Sequence, residues 1–151
     1  MTLARFIATF GGCGLAPKAP GTVGSLAALA VGLPLLKRPK SLLASAVAAS
    51  VIGVWASKQA GDGEDHSWIV IDEVAGMWIS LLACLPTQKD AKPSFVCPLI
   101  AFGLFRLFDI KKPGPVGMLD RRHDAVGIMG DDVVAGLMAA GCVTLLRKLK
   151  R

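Results

Sequence analysis

Five apolar runs, each about 13 to 17 residues long, constrain this chain more than any other feature: residues 22–36, 41–57, 74–86, 94–108 and 133–146. Strands usually end after about five or six residues, so runs of this length rich in Ala, Leu and Met read as helices. Pro34, Pro39, Pro86, Pro93 and Pro113 stand at or near the run ends, as helix stops do. The expected fold is all-α, a compact multi-helix bundle of about five main apolar helices, with residues 1–151 forming a single domain. The chain shows no internal repeat and no low-complexity segment.

Run length raises the next question, because a helix needs about 20 apolar residues to cross a bilayer. These runs reach that length only by annexing polar residues at their ends, Asp72, Glu73, Asp131 and Asp132 among them. Composition favours a membrane nonetheless. Hydrophobic residues make up 53% and charged residues 19% of the chain, against about one quarter charged in soluble domains. Its 17 glycines suit helices whose backbones approach closely. The expectation is a membrane-embedded bundle whose polar helix ends gather in an interfacial pocket.

The net charge of +6 lies in short clusters, "KRPK" (37–40), "KK" (111–112), "RR" (121–122) and "RKLKR" (147–151), each beside an apolar run. Tyr is absent, and the aromatics lie within apolar runs instead of alternating with basic residues, so no stacking platform for nucleic acid is present. Anionic lipid headgroups fit such clusters better. The membrane is therefore the expected partner, with no nucleic acid and no obligate protein partner. Cys13, Cys84, Cys97 and Cys142 show neither CxxC nor zinc-ligand spacing and are expected to pack as small hydrophobes. The N-terminus offers no cleavable signal and reads as part of the fold.

If each run crosses once, the polar stretches "APKAPGTVGS", "GDGEDHSWIVIDE" and "RLFDIKKPGPVGMLDRRHDAVGIMGDD" share one side. That side carries nearly all the distinctive chemistry. The other side has "LKRPK", "TQKDAKP" and the basic tail, and Lys and Arg are too evenly divided to orient the protein.

On the first side, Asp72, Glu73, Asp109, Asp131 and Asp132 lie at or near run ends, and Asp65 would share a face with Asp72 if helix extended that far. Any one Asp could be a helix cap. Several converging carboxylates repel one another unless a cation lies between them, and oxygen donors without His or Cys favour Mg2+, with Mn2+ or Ca2+ as alternatives. Arg106 and Asp109, three residues apart, are placed for an intrahelical ion pair, and Lys112 follows before Pro113. Lys18, Thr22 and Ser25 lie in a Gly- and Pro-rich loop leading into the first run, where a helix N-terminus can receive phosphate.

Cation-binding acids beside phosphate-binding bases at a membrane face describe a site for a phosphorylated lipid. A cysteine phosphatase needs Arg six residues after Cys, and those positions hold Ala19, Asp90, Gly103 and Lys148. The DxD of aspartyl-phosphate enzymes is missing, and neither His66 nor His123 lies in an RHG or SGH context. Metal-assisted hydrolysis survives. Two rivals remain: a transporter or ion-pathway protein using intramembrane carboxylates, and a non-catalytic structural membrane protein in which every acid pairs with a base.

Four ordered segments, "LAPKAPGTVGSLAAL", "DHSWIVIDEVAGMWISL", "FRLFDIKKPGPV" and "GIMGDDVVAG", resemble the phosphatidylglycerophosphatase A family over about residues 10–141. The resemblance implies a Mg2+-dependent phosphatase of the bacterial inner membrane, multi-pass, converting phosphatidylglycerophosphate to phosphatidylglycerol. Carried over by motif, it implies metal ligands at Asp72, Glu73, Asp131 and Asp132 and catalytic roles for Asp72, Asp109, Asp131 and Asp132. Lys18, Thr22, Ser25, Arg106 and Lys112 would bind the substrate phosphate. Attack on phosphorus by water or by an Asp stays open. The chain departs from the family pattern at "GPV" after Pro113, where an aromatic-Pro pair is expected. It departs again at Asp124–Ala125, where a Gly pair is expected, so Asp124 is given no site role.

Overall fold

The computed structural model describes residues 1–86 and 95–150; the whole linker "TQKDAKP" (87–93), with the expected helix stop Pro93, then Ser94 and the last residue of the basic tail lie outside the described residues. Among the described residues there are seven α-helices and no strand: α1 (Leu3–Ala8), α2 (Pro20–Leu35), α3 (Pro39–Gly61), α4 (Ile71–Leu81), α5 (Val96–Lys111), α6 (Pro115–Asp120) and α7 (Ala125–Leu149). Short 3-10 turns at Cys13–Leu15 and Leu82–Cys84 complete the path. The five apolar runs correspond to α2, α3, α4, α5 and α7, and the all-α expectation holds.

Boundaries follow from end chemistry. Pro20, Pro39 and Pro115 occupy the first position of α2, α3 and α6, where a missing N–H costs nothing. Pro39 thus starts a helix where the sequence reading made it a stop, and Pro34 lies inside the last turn of α2. Helix α7 begins earlier than its apolar run because the Asp124 carboxylate accepts the Gly127 N–H at 2.7 Å as an N-cap. Asp131 and Asp132 therefore lie inside a helix, not at its tip. Helix does not extend back from α4 to Asp65, which sits in the loop before it.

Helix α4 is the most enclosed element, with Ile71, the stretch 74–78, Ser80 and Leu81 buried. It packs against α7, α3, α2 and α5, while α6 rests on α7 and α1 on α3. Helices α4 and α7 meet glycine on glycine. A Cβ on Gly136 would lie 2.4 Å from the Gly76 carbonyl oxygen and 2.9 Å from its Cα, so only glycine lets α7 seat on α4 here. Phe105 of α5 closes the same contact, fully buried against Gly76.

Helices α3 and α7, 23 and 25 residues long, are long and apolar enough to cross a membrane. Helix α4, with 11 residues, spans only about 16 Å. Exposed apolar side chains such as Val51, Trp55, Leu99 and Leu137 lie on the outside of the bundle, where lipid would take them.

One expectation about packing fails. Cys84 and Cys97 are joined in a disulfide, with Cα atoms 5.6 Å apart, while Cys13 and Cys142 are free. The packing of α4 with α5 brings their far ends together, and no spacing in the sequence encodes that proximity.

Candidate active site

Asp72 and Asp132 reach the site by the same local construction. Asp72 begins "DEVAG" and Asp132 begins "DVVAG", and the glycines closing these pentapeptides are Gly76 and Gly136, the pair at which α4 and α7 touch. Each aspartate lies four residues, about one turn, before its glycine. Two helices crossing in the same sense at that point carry both carboxylates to one end of the contact. The shared pentapeptide pattern is a local sequence signal for this contact, missed where repeats were sought only at longer range.

The result is a group of three acids: oxygen atoms of Asp72, Glu73 and Asp132 all lie within 4.8 Å of one another. They line a polar cavity of about 120 Å3 together with Asp65, His66, Asp109, Lys112 and Asp131. Residues from the loop before α4, the end of α5 and the start of α7 meet there. The N-terminus of α2 joins them, for a Cβ on Gly21 would lie 2.2 Å from Glu73 Oε1.

Asp131 and Asp132 divide. Successive helical residues point about 100° apart. Asp132 faces the acids of α4, whereas Asp131 Oδ2 accepts from Lys112 Nζ at 2.7 Å. Lys112 also donates to Asp120, a partner that the sequence reading did not single out. The backbone explains how Lys112 gets there: it precedes Pro113, which disfavours the right-handed helical region, and it leaves α5 with φ of 48°. Two acids close to its ammonium raise the Lys112 pKa against the opposing effect of burial.

Arg106 is similarly held. Its guanidinium pairs with Asp109, donates to Ser25 Oγ at 3.4 Å and Thr22 Oγ1 at 3.5 Å, and stands 4.0 Å from Glu73 Oε1. The hydroxyls expected to bind phosphate thus hold the arginine in place. Lys18 is not brought in: it is exposed on the turn before α2, and among the described residues no ion pair or hydrogen bond engages its ammonium. His66 lines the cavity stacked on Trp68, with ring centroids 5.2 Å apart.

The acids are only partly compensated. Glu73 Oε2 is buried without a hydrogen-bond partner. Burial first, then the Asp132 and Asp109 charges, pushes the Glu73 carboxyl up to about 8 in spite of Arg106 and a shared hydrogen bond with Asp72. Burial and the adjacent Glu73 charge likewise raise Asp72. Such a group holds either protons or a cation, and an all-oxygen donor set with one orphaned oxygen fits a hard divalent ion.

The chain matches the family model described as phosphatidylglycerophosphatase A over residues 6–147. It is 40% identical to phosphatidylglycerophosphatase A of Escherichia coli, over 86% of this chain and 75% of that protein. The protein of that name from Haemophilus influenzae is 39% identical over 85% and 78%. A Bacteroides thetaiotaomicron protein carrying the provisional name phosphatidylinositol-3-phosphatase is 37% identical over 93% and 91%. No solved structure matches.

Proposed function

As the chain belongs to the phosphatidylglycerophosphatase A family, and so is a phosphoric monoester hydrolase, we propose that it is a Mg2+-dependent enzyme converting phosphatidylglycerophosphate to phosphatidylglycerol and phosphate. The observation that carries this reading is the gathering of Asp72, Glu73 and Asp132 within 4.8 Å, beside two cations already ordered by the fold.

Asp72, Glu73 and Asp132 would hold the Mg2+, with Asp131 adjacent; bound there, the ion neutralises the phosphate dianion and makes phosphorus more electrophilic. Arg106, held by Asp109, Thr22 and Ser25, and Lys112, held by Asp120 and Asp131, offer positive charge to the phosphoryl oxygens. Their carboxylate partners fix the direction of each cation before substrate arrives. An oxygen nucleophile, water or one aspartate, forms the new bond to phosphorus as the bond to the headgroup glycerol oxygen breaks. The leaving oxygen takes a proton from a protonated cavity carboxylate or from solvent. With water as nucleophile a cavity carboxylate accepts the proton that water releases; with an aspartate the acyl phosphate formed is then hydrolysed by water, which frees the carboxylate and releases phosphate.

The span-length helices α3 and α7 support a multi-pass protein of the bacterial inner membrane, with the cavity at one face. The acids gather in one cavity, which favours the enzyme over an ion pathway distributed across the membrane.

Phosphate release from phosphatidylglycerophosphate by purified protein, with and without Mg2+, tests the reading. Release should require the ion, and no release in either condition would reject the substrate. The Bacteroides relative warrants a parallel assay with phosphatidylinositol 3-phosphate. A higher kcat/KM there would move the substrate assignment while leaving the site in place.

A further inference from the structure

Next to the polar cavity, an apolar groove of about 530 Å3 runs between α1, α3 and α4, within the ~300–1,000 Å3 common for small-molecule sites. Its walls include Phe6 and Phe10 from the N-terminal segment, Ala48 and Ile52 from α3, and Ile71 and Trp78 from α4. Ser45 supplies its single hydroxyl. The Trp78 indole N–H is donated to the Ala28 carbonyl at 2.9 Å, leaving the ring apolar toward the groove.

Three features give the groove direction and an occupant. Ile71 lines one end and immediately precedes Asp72, so groove and carboxylates share the first turn of α4. Trp78 lies seven residues further on, about 10 Å deeper along the helix, with Phe10 set edge-on against it. The groove opens sideways, where Phe6 and Ile52 are 50% and 45% exposed. Near the cavity, the exposed Arg5 lies over Trp68, whose other ring contact is the cavity residue His66. An apolar groove whose end residue, Ile71, adjoins the cavity carboxylate Asp72, with a cation nearby, matches one ligand chemistry: a hydrocarbon chain joined to a phosphorylated headgroup.

We propose that this groove holds one acyl chain of the lipid substrate, laid along α4 from Ile71 toward Trp78 while the headgroup phosphate occupies the carboxylate cavity. The assignment rests on the phosphatase reading for the identity of the headgroup. It makes Ala48 and Ile52 determinants of chain length.

The first test uses Ala48→Phe, a change at an exposed groove position outside the polar cavity. The ratio of kcat/KM for dipalmitoyl over dihexanoyl substrate should fall roughly tenfold, as expected when about two methylenes lose an apolar contact. A ratio unchanged within twofold would overturn the proposal. The second test needs no turnover. In a Trp55→Phe, Trp68→Phe background, phosphatidylglycerol brominated along its chains should quench Trp78 fluorescence, and adding Ala48→Phe should at least halve that quenching. Equal quenching with and without Ala48→Phe would reject the groove. Failure of phosphate release would reject the phosphatase reading instead, with the quenching result still deciding the groove.

Discussion

The two ends of the α4 segment are built on opposite principles. At its far end, the final carbonyls are satisfied: Arg147 of α7 donates to the Ala83 and Leu85 oxygens, and the Cys84–Cys97 disulfide ties the segment to α5. At its start, Asp72 and Glu73 face Asp132, Arg106 stands 4.0 Å from Glu73 Oε1, and Glu73 Oε2 is buried without a hydrogen-bond partner. A fold that so fully pairs one end can leave the other under electrostatic tension. The contrast teaches that stability is concentrated where α4 is stapled, and chemistry where it is left unbalanced.

Substitutions at the two ends should separate these roles. The largest effect is expected for Asp132→Asn, which removes one charge from the acidic group. Phosphate release should drop by about a hundredfold to a thousandfold with the circular dichroism spectrum intact. Near-normal turnover would break the contrast at its root. At the far end, Cys84→Ser should cost about 3 kcal/mol of stability in thermal unfolding, with turnover per folded molecule retained. Equal loss of activity and stability would mean that the ends are not independent.

Gly136→Ala tests the contact between the ends. The added methyl meets the Gly76 backbone, and a cost of about 1–3 kcal/mol should appear as a lower melting temperature together with weaker Mg2+ activation. Arg147→Ala should cost about 1–3 kcal/mol by leaving two carbonyl oxygens without their donor, with no change in Mg2+ activation.

The last effect is a pH dependence. Because the Glu73 pKa is raised from 4.5 to about 8, the folded protein without divalent ion binds more protons than the unfolded chain between those values. Its stability should therefore decline as pH rises through that window. Added Mg2+ should raise the melting temperature more at pH 8 than at pH 5. A metal-free melting temperature that climbs from pH 5 to pH 8 would contradict the assignment.

How much of this was legible in the sequence depended on the range of the signal. Run length and proline placement revealed five helices because both are local. The expectation that Asp72, Glu73, Asp109 and Asp132 lie at one end needs only the alternating direction of successive helices, and one cavity does gather them. The division of Asp131 from Asp132 was hidden: adjacent residues point in different directions, and only the rotation of α7 on α4 decides which one faces the acids. The Cys84–Cys97 bond was hidden for the same reason, since it depends on where two helix ends meet. The placement of Lys18 failed differently. Charge and a glycine-rich loop suggested a phosphate ligand, but the loop's hydroxyls turn toward Arg106 and leave the lysine outside. The matched "DEVAG" and "DVVAG" segments were readable, yet a five-residue echo is easily missed when repeats are sought at domain scale.

That echo carries a mechanical consequence. Asp72 and Asp132 stand the same distance along their helices from the point where glycine meets glycine, like the two jaws of a caliper on one pivot. If α7 slid or rotated on α4, the gap between the jaws would change with it, and so would the radius of ion that fits. The spacing of the two carboxylates is thus set by the thickness of two hydrogen atoms at Gly76 and Gly136, one helical turn from either aspartate.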